Sequence, residues 1–352
     1  MPRPARIGLL GAGLIGTEHA RTLARIDETE LVAVADPSDA GRALAAELGV
    51  AHHDDYRALL AAGGVDGVVA ALPNRMHADA AVAAIEHGVA VLVEKPIAGT
   101  LDEARWITEA ADRTGVPVLV GHQRRYAPDV VAAKALLDSG ALGEIVSVGI
   151  LSTWRKHDSY FDVDWRRTAG GGPVLINLIH DLDAIRHLVG EIDSVVALGG
   201  HTRGFEVADT VGAVLRFVGG ALGTALVSDA SAAPWNWDLT SGYGAYFPPP
   251  PPPPGDVYFL SGTRAALSLP SLTLFTHDGD ADWRSPMRTR VVERVEADAY
   301  TEQLRHFADV ALRRCPPLID AHDGTRTLAV AHAVEQAQQT GTTIHIDEEI
   351  AV

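Results

Sequence analysis

The first third of the chain alternates two kinds of apolar pattern. Short, β-branched and nearly continuous apolar runs at residues 7–10, 31–35, 67–72, 90–94 and 117–120 read as strands, because a strand covered on both faces needs no polar alternation. Between them, residues 15–25, 38–48, 77–87 and 101–113 carry apolar positions at helical spacing. Three of these stretches run into Gly49, Gly88 or Gly115, the residue type that most readily takes the left-handed conformation ending a helix. Strand, helix and strand in repetition predict βαβ units and a parallel sheet.

Beyond about Gly121 the texture changes. A helix is predicted over 130–139, then an alternating strand over 145–151, and Gly170-Gly171-Gly172-Pro173 opens an apolar helix over 174–188. Runs at 194–198, 210–217, 221–228, 257–261 and 265–269 alternate as strands of a largely antiparallel sheet with one face under helices. Helices over 300–314 and 325–339 complete the chain. The fold class expected is therefore α/β: a parallel-sheet Rossmann domain over 1–122, then an α+β domain over 123–352 with a large, mostly antiparallel open sheet. The prolines from Pro248 to Pro254 can only be extended polyproline II, a rigid surface loop.

Composition narrows the function classes. Of 352 residues, 47% are apolar and 21% charged, and no run reaches the roughly 20 uninterrupted apolar residues of a membrane helix. Glycines 11, 13 and 16 interrupt the first apolar run before it could serve as a signal core, so a cytoplasmic location is expected. One cysteine, Cys315, excludes an internal disulfide and a cysteine zinc cage. With 46 acidic against 29 basic residues and no basic run, nucleic acid is excluded as a partner.

Gly11-Ala12-Gly13-Leu14-Ile15-Gly16 follows the first predicted strand and opens the first predicted helix, the context that makes this hexad a dinucleotide motif. The first glycine permits the turn, the second lets backbone approach a pyrophosphate, and the third allows helix to pack on strand. Asp36 ends the second strand, placed to accept from a ribose 2′-hydroxyl and to repel a 2′-phosphate; no arginine follows it at once, so NAD is favoured over NADP. Lys95, in Val93-Glu94-Lys95-Pro96, stands at the carboxyl end of a predicted parallel strand, where ligands of open α/β sheets bind. A fixed cation there would ease alkoxide character as hydride leaves, and desolvation could let it relay the proton.

In the second domain, Asn177 and His180 are spaced i, i+3 on a predicted helix, so both could meet one substrate. Imidazole suits proton transfer near neutrality. His180, Asp183 and His187 share a side of that helix, but no second cluster completes a metal ligand set, and no metal is expected.

Together these residues resemble the glucose-fructose oxidoreductase/inositol dehydrogenase/rhizopine-catabolism family (Gfo/Idh/MocA). The resemblance rests on the hexad, Pro73-Asn74 with His77, Glu94-Lys95-Pro96, Arg125-Tyr126-Ala127-Pro128, Gly140-Ala141-Leu142-Gly143-Glu144-Ile145, the glycine-rich helix with His180 and Asp183, and Asp323-Gly324. It implies that Lys95 and His180 flank a substrate carbinol, and that Leu72, Pro73, Asn74, His77, Glu94 and Gln123 help line the cofactor cleft. It also implies a cis peptide before Pro96 and a homodimer or homotetramer built through the open C-terminal sheet. Family members commonly place an Asp four residues before the histidine; here that position is Ile176, and Asn177 stands at three. An amide cannot act as a carboxylate base, so proton transfer falls to His180 or Lys95.

Tyr126, Trp154, Lys156, Tyr160, Trp165 and Arg166 concentrate ring faces and cations around and upstream of that helix, fitting a polyol or ring substrate. The expected function is NAD(H)-dependent hydride transfer to or from a secondary alcohol of a sugar, inositol or polyol. Two alternatives stand beside it: a dehydrogenase of a cyclic dihydrodiol or ring acid, with cations at Arg155, Lys156 and Arg166 holding a carboxylate, and a non-catalytic NAD-bound sensor or assembly subunit.

Overall fold

The computed structural model describes residues 3–242 and 255–346, so the proline run at 248–254 lies outside the described residues. The chain divides into two compact units, one of Met1–Tyr126 with Ala297–Leu328, the other of Ala127–Glu296 with Ala329–Ile350.

The first unit is built on a six-stranded parallel sheet. Along the chain run β1 (Ala5–Leu10), α1 (Leu14–Leu23), β2 (Thr29–Ala35), α2 (Asp39–Leu48), β3 (Ala51–His53), α3 (Tyr56–Ala62), β4 (Gly67–Ala70), α4 (His77–Glu86), β5 (Ala90–Glu94), α5 (Leu101–Thr114) and β6 (Val118–Gly121). Every residue of β4, β5 and β6 is buried, which is why those runs carry no polar alternation. The order β3-β2-β1-β4-β5-β6 reverses direction between β1 and β4, leaving a crevice at the carboxyl ends of those two strands.

Local chemistry fixes the helix ends. Ser38 accepts from Gly41 N–H to cap α2, and Thr100 with Glu103 forms a reciprocal capping box on α5. Gly49 and Gly115 end their helices in the left-handed region, as their positions after the apolar stretches predicted.

The second unit carries a nine-stranded sheet. Its elements begin with α6 (Pro128–Asp138) and β7 (Ile145–Thr153); a π-helical turn at Val174–Leu178 then runs straight into α7 (Ile179–Val189). β8 (Ile192–Gly200), β9 (Thr210–Phe217), β10 (Leu222–Ser228), α8 (Trp237–Thr240), β11 (Tyr258–Gly262), β12 (Ala265–Leu269), β13 (Thr273–His277) and β14 (Met287–Val291) follow. The last elements are α9 (Ala299–Ala311), which belongs to the first unit, α10 (Ala321–Thr340), and β15 (Ile344–His345). Neighbouring strands are antiparallel except β7 beside β10. In β9 and β10 buried residues alternate with outward ones, so one face meets a core and the other is open.

That open face is apolar. Val196 and Leu198 on β8, Val214 on β9, Leu222 and Leu226 on β10 and Phe259 on β11 are all at least 40% exposed. Six large apolar side chains on one face of this sheet, five of them on the adjacent strands β8, β9 and β10, are more than the scattered exposure that any folded surface shows.

Candidate functional site

In the first unit, the carboxyl ends of β1, β4 and β5 surround a cleft of about 730 Å³. Gly11, Ala12, Gly13, Leu14, Ile15, Asp36, Leu72, Pro73, Asn74, His77, Glu94 and Lys95 all line it, together with Pro37, Ser38, Ala40, Ala71 and Met76. Gln123, also expected there, sits instead in the 3-10 turn after β6 and is not among those lining residues.

The three glycines differ in what surrounds them. Gly11 has φ +93°, and a Cβ on it would come within 2.5 Å of the Ala71 carbonyl oxygen. A Cβ on Gly16 would come within 2.0 Å of the Gly11 carbonyl oxygen, so α1 leaves β1 without room for a side chain. Around Gly13 nothing among the described residues lies within 4 Å, and that open space is where a pyrophosphate would meet the N–H groups of the first helical turn. The turn, the cleft and the open glycine fit a dinucleotide.

Asp36 is held against this turn. Its Oδ2 accepts from Ala12 N–H at 2.8 Å, and its Oδ1 accepts from Ser38 N–H at 2.8 Å and from the Ser38 hydroxyl. Partial burial raises the Asp36 carboxyl, but the Ser38 hydroxyl and the two backbone donors outweigh it, leaving the pKa below the usual value and the group ionised at neutral pH. No arginine lines the cleft among the described residues. Arg42, which donates to the Pro37 carbonyl, is engaged with Asp54 and Asp39.

At the end of β5, Glu94 and Lys95 are set from behind. His19, fully buried on α1, bonds through Nε2 to Glu94 Oε1 at 2.7 Å, and Glu94 Oε2 accepts from Lys95 N–H at 3.1 Å. Burial alone would raise the Glu94 carboxyl, but His19 and then Lys95 outweigh it and hold the pKa below the ordinary carboxylate value. The Lys95–Pro96 peptide is cis. His77 ties this corner to the loop after β4: Nδ1 lies 2.7 Å from the Pro96 carbonyl and Nε2 lies 2.8 Å from that of Leu72. Two carbonyls favour a doubly protonated ring, yet burial is the larger effect and pushes the His77 pKa below its ordinary value. His19 escaped the sequence reading. Its only signal was a histidine on the face of an amphipathic helix, which reads equally well as core.

The second unit gathers another set. Asn177 lies in the π-helical turn and His180 in the first turn of α7, so the single regular helix expected over 174–188 is two helical forms in series. A π-turn changes the angular step between residues, and such turns recur at functional sites. Lys156 Nζ donates to Asn177 Oδ1 at 2.5 Å, lies 3.1 Å from Asp229 Oδ1, and sits 4.5 Å from the centre of the Tyr160 ring and 5.6 Å from that of Trp154. Trp154 Nε1 donates to the same Asp229 oxygen at 3.3 Å. The Arg166 guanidinium stacks 4.0 Å over Tyr160 and 5.8 Å from the Trp165 ring, and donates to the Tyr160 carbonyl at 2.8 Å. Tyr126, grouped with these residues from sequence, is buried at the end of the first unit, edge-on to His306 at 5.7 Å. Asp229, seventy-three residues beyond Lys156, carried no sequence signal of its own.

No cluster of three or more metal-binding side chains occurs among the described residues, and no helix there is long and apolar enough to cross a membrane.

Comparison with known proteins agrees with this arrangement. Residues 5–122 match the family described as "Oxidoreductase family, NAD-binding Rossmann fold", and residues 130–244 match "GFO/IDH/MocA C-terminal domain". The chain is 30% identical to inositol 2-dehydrogenase 1 of Saccharopolyspora erythraea, over 97% of this chain and 96% of that one. It is 28% identical to D-xylose 1-dehydrogenase (NADP(+)) 2 of Haloferax volcanii, over 97% and 99%. The WlbA dehydrogenase of Bordetella pertussis, solved with NADH and UDP-GlcNAcA, shares the fold at a TM-score of 0.78 and 24% identity, covering 98% of this chain and 99% of that one. With a parallel sheet, a glycine turn and a mostly antiparallel second sheet in the matching order, the chain belongs to the Gfo/Idh/MocA family of NAD-binding Rossmann oxidoreductases.

Proposed function

We propose that the chain is an NAD-dependent dehydrogenase of a ring polyol, with an inositol or a closely related cyclic sugar as substrate. The observation that carries the reading is a single cleft that brings the glycine turn, Asp36 and Lys95 together at the point where strand order reverses. Relatives covering nearly the whole chain act on inositol and on xylose, which supports a secondary or anomeric CH–OH as the reacting group.

When bound, NAD supplies the hydride acceptor. The chain's own residues do the rest. Lys95 holds positive charge beside the substrate oxygen and lowers the cost of alkoxide character, His180 accepts the hydroxyl proton, and Asn177 orients the ring. A screen of polyols, aldoses and ring acids, followed at the NADH absorbance, tests this reading. Turnover of a cyclic polyol supports it; turnover of ring acids alone supports the dihydrodiol or ring-acid reading; no turnover by any of them leaves a cofactor-bound sensor.

His180→Asn is expected to remove the acidic limb from the profile of kcat/KM against pH, because the group that must be unprotonated to accept the proton is gone. An unchanged limb would place the base elsewhere, on Lys95.

NAD is proposed over NADP because the Asp36 carboxylate, ionised and held by three donors, faces the place of the ribose 2′-oxygen. Asp36→Ala is expected to raise the ratio of kcat/KM for NADP to that for NAD by about tenfold or more, since a like-charge repulsion is removed while a hydroxyl partner is lost. An unchanged ratio would mean that Asp36 does not read this position.

Self-association through the open sheet face is proposed as a homodimer or homotetramer. Leu226→Glu with Val214→Glu places two charges in the centre of that face, and light scattering behind size exclusion is expected to show smaller particles than for the native chain. A native chain that runs as a monomer at micromolar concentration would defeat this.

A further inference from the structure

The amide of Asn177 can be turned either way about its last bond, and its orientation decides what a ligand can offer it. Lys156 settles the matter. An ammonium has donors and no acceptor, so the Asn177 atom 2.5 Å from Lys156 Nζ must be the carbonyl oxygen. Among the described residues Nζ also meets the Asp229 carboxylate at 3.1 Å and the faces of the Tyr160 and Trp154 rings at 4.5 and 5.6 Å. Three hydrogens therefore have three destinations, and Lys156 has none left for a ligand. Its backbone is fixed as firmly: Lys156 N–H donates to the Asp229 carbonyl at 3.0 Å, and Arg203 donates to the Lys156 carbonyl at 2.6 Å.

Burial works against charge on both partners, pushing Lys156 down and Asp229 up. An opposite charge, an amide oxygen and two ring faces around one nitrogen favour the ammonium. With its oxygen consumed, Asn177 keeps only its NH₂, which donates to no acceptor among the described residues.

We propose that Lys156 is a positioning residue that locks Asn177 as a hydrogen-bond donor, so that the substrate oxygen meeting Asn177 is one that accepts. Resting on the dehydrogenase reading above, this makes Asn177 a selector for a ring or hydroxyl oxygen presented lone pair first. It is the polarity opposite to that of a carboxylate, which would demand a substrate donor.

Asn177→Asp separates the two polarities, because it preserves the oxygen that Lys156 holds and replaces the NH₂ with a second acceptor. With myo-inositol as the probe and NAD saturating, KM is expected to rise about tenfold or more in Asn177→Asp, with kcat changed less and the Kd for NADH unchanged. An unchanged KM would overturn the donor role. The orientation is tested without substrate by thermal midpoints. Asn177→Asp is expected to cost less stability in the presence of Lys156 than in a Lys156→Met chain, where the new carboxylate has no cation. Equal or reversed costs would show that Lys156 does not hold the Asn177 oxygen. If Lys156→Met does not fold because Asp229 has lost its partner, Lys156→Met with Asp229→Asn takes its place. A native enzyme that oxidises no cyclic polyol would sink the dehydrogenase reading and leave the midpoint comparison to decide the Lys156 contact.

Discussion

Lys95→Met is expected to lower kcat on a cyclic polyol by about a hundred- to a thousand-fold, while the Kd for NADH moves by less than about twofold. Methionine keeps the approximate length and the apolar stem of lysine and removes the charged ammonium with its donors, so a loss reads that group rather than shape. Lys95 is set where such a charge acts strongly: it follows the last residue of a buried central strand and lines the same cleft as the glycine turn. Its backbone N–H is held by Glu94, and Glu94 in turn by His19, so the position of the lysine stem is specified from the buried face of α1. Binding of the dinucleotide draws on the helix N-terminus and Asp36, which the substitution leaves intact. Stopped-flow oxidation with fluorescence titration of NADH checks both halves. A variant with native turnover would remove Lys95 from the chemistry, and a variant that loses NADH as well would make it a cofactor ligand first.

Most of the parallel sheet was legible because strands such as β4, β5 and β6 are buried on both faces and write themselves as unbroken apolar runs. β5 is Ala90–Glu94 in both the pattern and the structure. β3 and α3 were not foreseen, and the reason is local: Ala51–His53 is short, half-exposed and at the sheet edge, so nothing in it has to be apolar. The same holds for β14, whose Met287–Val291 is exposed at every position on the outer edge of the second sheet. Edge strands pair by backbone alone on one side, and backbone pairing leaves no hydrophobic signature.

Sites were legible to the degree that their residues sit next to one another in sequence. The glycine turn and Glu94-Lys95-Pro96 are contiguous, and the structure brings both to one cleft. Long-range pairs were not. Arg125 and Asp323 each belonged to a motif of the family resemblance, yet only the fold shows that buried Arg125 donates to half-buried Asp323 at 2.6 Å. Lys156 was read as a substrate cation, whereas its ammonium lies on Asp229 and Asn177; a distance of that kind depends on how β7 and β10 pair in parallel, which no periodicity encodes.

Gly13→Ala and Gly16→Ala, three residues apart in one turn, are expected to fail in opposite ways. At Gly16 the added methyl would lie 2.0 Å from a backbone oxygen of Gly11, which cannot swing aside as a side chain can. α1 must move off β1, and a core overfilled in this way costs about 1–3 kcal/mol, so the thermal midpoint falls whether or not cofactor is present. At Gly13 the same methyl meets nothing within 4 Å among the described residues, and the backbone there is extended, with φ −69° and ψ −168°, a conformation open to alanine. The apo chain is therefore expected to melt within about a degree of the native one. Its NADH affinity is expected to fall by about tenfold or more, because the methyl occupies the space through which the pyrophosphate reaches the N–H groups of the turn. Thermal midpoints with and without NADH separate the cases: Gly16→Ala lowers both, whereas Gly13→Ala removes only the increment that cofactor adds. Equal loss of the apo midpoint in both variants would mean that the second glycine serves the fold, and the space around it would no longer count as room for a ligand.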